Sequence, residues 1–178
     1  QSLGVTFVSK NEQFDTSSAI GEAMMRIILI FAELERKTTP ERVTAVMLSR
    51  ASDGQWNGGR VPYGYSWSKE TKTFSIIPEE AKAIRRMAEL YEQYQSLLYV
   101  AKYLNDAGIP TKTGSQWTPT TVRTILTNPW YIGQYVYNVH SGGKGIEKRD
   151  SDEWITVENH HEPILSDDVF YHLPEYLP

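Results

Sequence analysis

Several arginines in this sequence are spaced as groups that clamp phosphate would be. Arg36 follows Glu35, Arg42 follows Glu41, and Arg26, Arg50 and Arg60 occupy the same stretch. A guanidinium is a planar fork that pairs with two phosphate oxygens at once. A solvated helix face with surface ion pairs would carry the same residues, and pattern alone leaves both readings open. A second constellation lies further on. Thr120, Thr121, Arg123, Thr124 and Thr127 fall on the outer face of a predicted helix. Short hydroxyls and one arginine suit DNA backbone and base edges. Lys112, Thr113 and Gln116, in the preceding connection, are placed to reach an adjacent groove or phosphate as a wing would. Plain helical packing accounts for the same spacing equally well.

Other candidates reduce to simpler chemistry. His160-His161-Glu162 is a conceivable metal site. Adjacent histidines in an extended segment point to opposite faces, however, and spacing supplies no third ligand, so no metal is expected. Asp167-Asp168 opens a predicted helix and fits cap and dipole chemistry. The sequence holds no nucleophile elbow, P-loop or dinucleotide fingerprint, and Gly58-Gly59 is too short to cradle a phosphate. It has no cysteine, which excludes disulfides, thiolate zinc sites and cysteine nucleophiles.

The elements that must position these residues can be read in order. Residues 3–8 alternate as a short strand does. Asp15 to Ser18 supplies N-cap candidates for a long helix from Ala19, with Ile20, Met24, Ile27, Ile28, Phe31 and Leu34 as its apolar stripe. Pro40 is expected to break that helix, with Thr39 capping a second one that ends before Asp53. Residues 53–68, rich in Gly, Pro and aromatics, read as a linker. A strand at 74–77 precedes a helix from Pro78 whose buried stripe is Ala81, Ile84, Met87, Ala88, Tyr91 and Tyr94. Ser96 caps a shorter helix that Gly108 ends. Residues 109–117 form a turn-rich connection, a candidate small hairpin, and Thr118-Pro119 starts the helix that buries Val122, Ile125 and Leu126. Strands at 131–139 and 154–157 flank a polar loop, and a last short helix runs from Ser166 to Pro174. The expected fold class is mainly α with small β elements (α+β): a long N-terminal helix, then a helical, helix-turn-helix-like domain with a β-hairpin.

Composition sets the outer bounds. The chain has 178 residues, 40% hydrophobic and 22% charged, which excludes wholesale disorder and collagen-like structure. Its longest apolar run, Ile27 to Ala32, is far short of the roughly 20 residues of a membrane span. Without a signal-peptide pattern, the expected location is cytoplasmic. The start at Gln1, already close to strand-like sequence, reads as a piece of a longer polypeptide. Net charge is −4, yet the last 33 residues hold nine Asp/Glu against two Lys/Arg, while residues 61–145 hold nine Lys/Arg against six Asp/Glu. Whole-chain charge is therefore a poor guide to what the middle segment binds.

Phe14 to Val43 (FDTSSAIGEAMMRIILIFAELERKTTPERV) resembles the end of the catalytic domain of serine recombinases of the resolvase/invertase type. GGRVPYGY, IPEEAKAIRRMAELY, VAKYLNDAGIPT and WTPTTVRTILTNPWYIGQYVYN resemble the recombinase domain of the large serine recombinases, which serve as phage integrases and mobile-element transposases. The resemblance implies residues 1–52 as the C-terminal part of a catalytic domain, 53–68 as a linker, and 69–178 as a DNA-binding domain running toward a zinc-ribbon domain. It implies DNA exchange through a phosphoserine intermediate in a homodimer that becomes a tetramer at synapsis, acting on double-stranded attachment sites. A bacterial or phage-encoded, nucleoid-associated protein is implied.

By the same resemblance Arg36 helps bind the scissile phosphate, Glu35 is its neighbour, Arg42 meets the backbone nearby, and Arg60 is the candidate for minor-groove insertion. The nucleophilic serine belongs to an upstream segment that this sequence does not contain, and Ser17 and Ser18 match the helix start instead. The chain alone is thus expected to bind DNA weakly and cleave nothing. No cofactor is expected in it, the family's zinc belonging to the downstream domain. Two alternatives remain: a non-enzymatic helix-turn-helix regulator, and a self-associating module that uses only the apolar stripe.

Overall fold

The computed structural model describes residues 8–9, 14–15, 19–141 and 147–172. The chain divides into two compact units, 1–47 and 48–178. In the first, β1 (Val8–Ser9) pairs antiparallel with β2 (Phe14–Asp15), Val8 opposite Asp15. Most of the strand expected at 3–8, and the cap candidates Thr16 to Ser18, lie outside the described residues.

Helix α1 spans Ala19–Ser52, 34 residues without interruption, and carries Pro40 inside it. The break expected at Pro40 does not occur. Proline removes the N–H that would bond the Arg36 carbonyl and crowds that turn, at a cost of about 3 kcal/mol. One lost bond is tolerated because the helix propagates cooperatively on both sides. Threonine hydroxyls add bonds around the gap: Thr39 Oγ1 donates to the Glu35 carbonyl at 2.8 Å, and Thr44 Oγ1 to the Pro40 carbonyl at 2.9 Å. The apolar residues of α1 are also not confined to one stripe, since Leu29 and Ile30 are 60% exposed and Phe31 is 64% exposed.

The second unit begins with the last turn of α1, where Ala51 is fully buried. It contains β3 (Tyr65–Ser68) paired antiparallel with β4 (Thr73–Ile76), then α2 (Pro78–Tyr94), α3 (Leu97–Asp106) and α4 (Pro119–Leu126). A second antiparallel pair, β5 (Tyr135–Tyr137) with β6 (Ile155–Val157), precedes the short α5 (Asp167–His172). The expected class, mainly helical with small β elements, is the one observed.

Local chemistry explains the helices. Pro78 opens α2 with Glu79 and Glu80 at the positive end of its dipole. The Ser96 side chain accepts from the Tyr99 amide to start α3. Thr118 and Thr121 form a reciprocal capping box at α4. Ile84, Met87, Val100, Leu104, Val122 and Leu126 from these three helices are almost completely buried together. Tyr94 departs from the expected stripe: it is 45% exposed and lies beside Tyr99.

Residues 53–68 are not a free linker. Trp56, Val61 and Tyr63 pack against the core, Tyr65 is 1% exposed, and Tyr65–Ser68 is strand. The turn-rich composition of this segment masks its aromatic anchors. Residues 131–139 also differ from expectation, because Pro129 and the Asn128 cap fold Pro129–Ile132 into a 3-10 turn and leave strand only at β5. Residues 109–117 contain no strand. The tip of the β5–β6 loop and the expected helix stop at Pro174 lie outside the described residues. Among the described residues, no helix is long and apolar enough to cross a membrane.

Candidate nucleic-acid interface

Five of the residues singled out for DNA contact meet at one cleft of the second unit. Arg60, Lys112, Thr113, Thr121 and Thr124 line a hollow of about 470 Å³ that has no carboxylate in its walls. Three segments build it: 60–63, the α3–α4 connection, and the exposed side of α4. Tyrosine hydroxyls buried on the inner side tie these segments together. Tyr63 Oη donates to the Pro110 carbonyl and Tyr131 Oη to the Tyr63 carbonyl, both at 3.0 Å. Tyr65 Oη donates to the Glu162 carbonyl at 2.9 Å. Burial pushes the Tyr63 phenol up to about 12 and raises those of Tyr65 and Tyr131 further, so all three stay neutral donors.

Gly64 follows at φ +93, where a Cβ would stand 2.6 Å from Ile84 Cδ1, so only glycine fits between the cleft and the core. Asn105 holds Trp117, which lines the cleft, its amide donating to the Trp117 carbonyl at 2.9 Å and its oxygen accepting from the Trp117 amide at 2.8 Å. The end of α3 is thereby fixed to the start of α4.

The cleft is not a simple row of cations. Lys112 Nζ donates to the Pro62 and Tyr65 carbonyls at 2.9 and 2.8 Å, and partial burial lowers its pKa. Two of its three donors therefore hold segment 62–65, while the nearby Glu80 carboxylate favours its charge and Arg60 opposes it. The α4 threonines are similarly engaged. Thr124 Oγ1 donates to the Thr120 carbonyl at 2.8 Å, Thr127 Oγ1 to the Arg123 carbonyl at 2.9 Å, and the Thr121 hydroxyl serves the cap. With their protons turned toward the helix, Thr124 and Thr127 offer a methyl and acceptor lone pairs. Those groups suit a thymine methyl or the amino groups of adenine and cytosine, and not a phosphate.

A second cleft, of about 560 Å³, is lined by Arg50, Lys69 and Lys72 together with residues 54–58 and others. Arg50 Nε donates to Asn57 Oδ1 at 3.1 Å and its Nη2 to the Trp56 carbonyl at 3.4 Å. His160 and His161 line this cleft too. Their rings do not diverge as expected of an extended segment: the two Nδ1 atoms lie 2.9 Å apart. His160 Nε2 meets the Gly54 carbonyl at 3.0 Å, His161 Nε2 meets the Trp130 carbonyl at 2.7 Å, and the His161 ring stacks on Trp130. Carbonyl bonding and ring packing thus override the alternation of a regular strand. Among the described residues, no group of three His, Asp or Glu is placed to hold a metal.

The remaining predicted residues are dispersed. Gln116, Thr120 and Arg123 are exposed but do not line the α4 cleft. Glu35, Arg36 and Arg42 are exposed on the part of α1 that belongs to the first unit. Lys69 and Lys72 escaped the sequence reading. Two lysines at the ends of the four-residue turn 69–72, within an alternating aromatic stretch, were the available signal.

Comparison with known proteins completes the picture. Residues 78–177 match the Recombinase family, and residues 1–56 match the family described as Resolvase, N terminal domain. A Bacillus subtilis (strain 168) protein named as a candidate DNA recombinase is 32% identical over 143 residues, 71% of this chain and 29% of its own length. The YbcK protein of Escherichia coli (strain K12) is 31% identical over 116 residues, 64% of this chain and 21% of its own length. The chain therefore spans under a third of each of these relatives. In fold it is similar to a crystal structure of an LSR–DNA complex, with TM-score 0.54 and 24% identity over 74% of this chain and 36% of the other. A structure concerned with a Listeria innocua prophage attP site gives the same TM-score and identity, covering 74% of this chain and 49% of the other. With a recombinase match over more than half its length and a resolvase match ahead of it, the chain belongs to the serine recombinase family.

Proposed function

We propose that the chain is the DNA-engaging part of a site-specific recombinase that cuts and rejoins duplex DNA through a phosphoserine link. The observation that carries this reading is the cleft where Arg60, Lys112 and α4 converge, whose lining holds two cations and no acidic residue in a chain of net charge −4, with Glu80 behind it. In this reading α4 lies in the major groove, with Arg123 and Thr120 on base edges and Thr124 on an apolar or amino group. Gln116 and Thr113 flank it, and Arg60 enters the adjacent minor groove or meets its phosphates. Arg36 and Arg42 act on the backbone at the cut site, where fixed guanidinium groups stabilise the charge of a phosphoryl transition state. The exposed apolar residues of α1 support self-association of the whole recombinase as a dimer and a synaptic tetramer.

The decisive experiment first selects the preferred duplex from a random library, using this chain. Arg123→Ala is expected to weaken binding to that duplex by roughly 1–3 kcal/mol and to relax the base preference at one position. Unchanged affinity and preference would remove α4 from the interface. The chain by itself is expected to bind without cleaving. In the whole recombinase, Arg36→Ala should leave binding near normal while cleavage collapses, an outcome that a non-enzymatic regulator cannot produce.

A further inference from the structure

The cleft of Arg50, Lys69 and Lys72 has no part in the reading above, although that reading is what it rests on: the chain engages duplex DNA. We infer that this cleft is a second seat for the DNA backbone, in which Lys69 and Lys72, at the β3–β4 turn, hold phosphodiester groups beside a preset Arg50. Four observations support it. First, its walls carry three permanent cations and no carboxylate, in a chain that has more acidic than basic residues. Second, Arg50 is held by Asn57 and the Trp56 carbonyl, which fixes the guanidinium plane before any ligand arrives. Third, the floor is rigid. Trp56, Trp67 and Phe74 pack on one another with ring centroids 4.5 to 5.3 Å apart. The rings are half-buried and engaged with one another, and the cations stand beside them at the cleft. Fourth, Gly58 lines this cleft and Arg60 lines the α4 cleft, and the two clefts share no lining residue. Two residues of backbone reach at most about 7 Å, which puts the edges of the two clefts within reach of one sugar–phosphate strand.

Lys69 and Lys72 are exposed turn residues, so Lys69→Gln/Lys72→Gln should fold normally, as checked by thermal unfolding. The test measures affinity of the whole chain for a random-sequence duplex of about three helical turns between about 50 and 300 mM salt. Losing two phosphate contacts lowers the slope of log affinity against log salt by about 1.8. Lys82→Gln/Lys102→Gln, on exposed lysines elsewhere, should leave the slope unaltered. An unchanged slope in the Lys69/Lys72 variant overturns the second seat and leaves the α4 reading standing. An equal fall in both variants also overturns it, since that marks a diffuse field. Inorganic phosphate at constant ionic strength should displace the duplex no better than chloride. Displacement by phosphate that requires Lys69 and Lys72 would make this a free-phosphate site instead. A wild-type chain that binds no duplex at low salt defeats both this inference and the reading beneath it.

Discussion

At the scale of single residues, the His160–His161 pair shows burial and hydrogen bonding in competition. Two neutral rings bring two N–H protons to three contacts: the Gly54 carbonyl, the Trp130 carbonyl and the bond between the rings. An added proton would complete the set, but burial disfavours the charge it brings. Burial lowers the pKa of His160, and it lowers that of His161 from 6.5 to about 4, with the neighbouring His160 adding to the effect. The sign of the linkage follows. Between those two values the unfolded chain binds more protons than the folded one, so stability rises with pH across the window. The contribution is complete above about pH 6.5 and is lost as pH falls toward 4. Urea unfolding followed by tryptophan fluorescence should therefore show a less stable second unit at about pH 5 than at about pH 7. His161→Gln should be less stable at neutral pH and should have a flatter dependence over the same range. Equal wild-type stability at both pH values would mean that the pair is already charged when folded.

At the scale of elements, Pro40 is the weak point of α1, and its effect is measurable. Pro40→Ala restores a donor for the Arg36 carbonyl and relieves the ring's crowding, which should stabilise the surrounding turns by about 3 kcal/mol. Native-state hydrogen exchange should then slow at residues 37 to 44 and stay unchanged in α2 to α4. Uniform exchange before and after the substitution would show that the proline is not where the helix opens. The same residue shows what the sequence made legible. Caps and periodicity located α2, α3 and α4 because Pro78, Ser96 and Thr118-Pro119 act locally on the backbone beside them. Pro40 acts locally too, but helix on both sides of it outweighed its effect. Tyr65 and Tyr131 read locally as linker and regular strand because distant contacts decide their conformation. The Tyr65 hydroxyl bonds the Glu162 carbonyl 97 residues away, and no local pattern records that. The candidate site divides in the same way. The α4 residues stand out by type and spacing and Arg60 by the family resemblance, whereas what gathers Lys69 and Lys72 beside Arg50 is the packing of β3 and β4 against Trp56.

At the scale of the whole molecule, the acidity of the chain and its cationic clefts belong to different parts of one fold. The last 33 residues hold nine acidic groups, yet Ile164 and Leu165 from the same stretch are buried in the core. That stretch is therefore needed for folding, while its carboxylates are carried outward: Asp150, Asp152 and Glu158 are all exposed. Acidic groups outside a binding cleft repel a polyanion at range without touching it, and salt screens that repulsion over a Debye length of about 10 Å at 0.1 M. Under the proposed reading such a field would restrain non-specific association and leave short-range contacts at α4 to set the preference for one sequence. Asp150→Asn/Asp152→Asn/Glu158→Gln should strengthen binding to random duplex at low salt by on the order of 1 kcal/mol, about fivefold. The gain should fade at high salt, and the advantage of the selected duplex over random duplex should shrink. Titrating both duplexes across a salt series separates these effects. A gain that persists in high salt would indicate a direct contact made by the new amides, and no gain at any salt would mean that the acidic stretch faces away from the DNA.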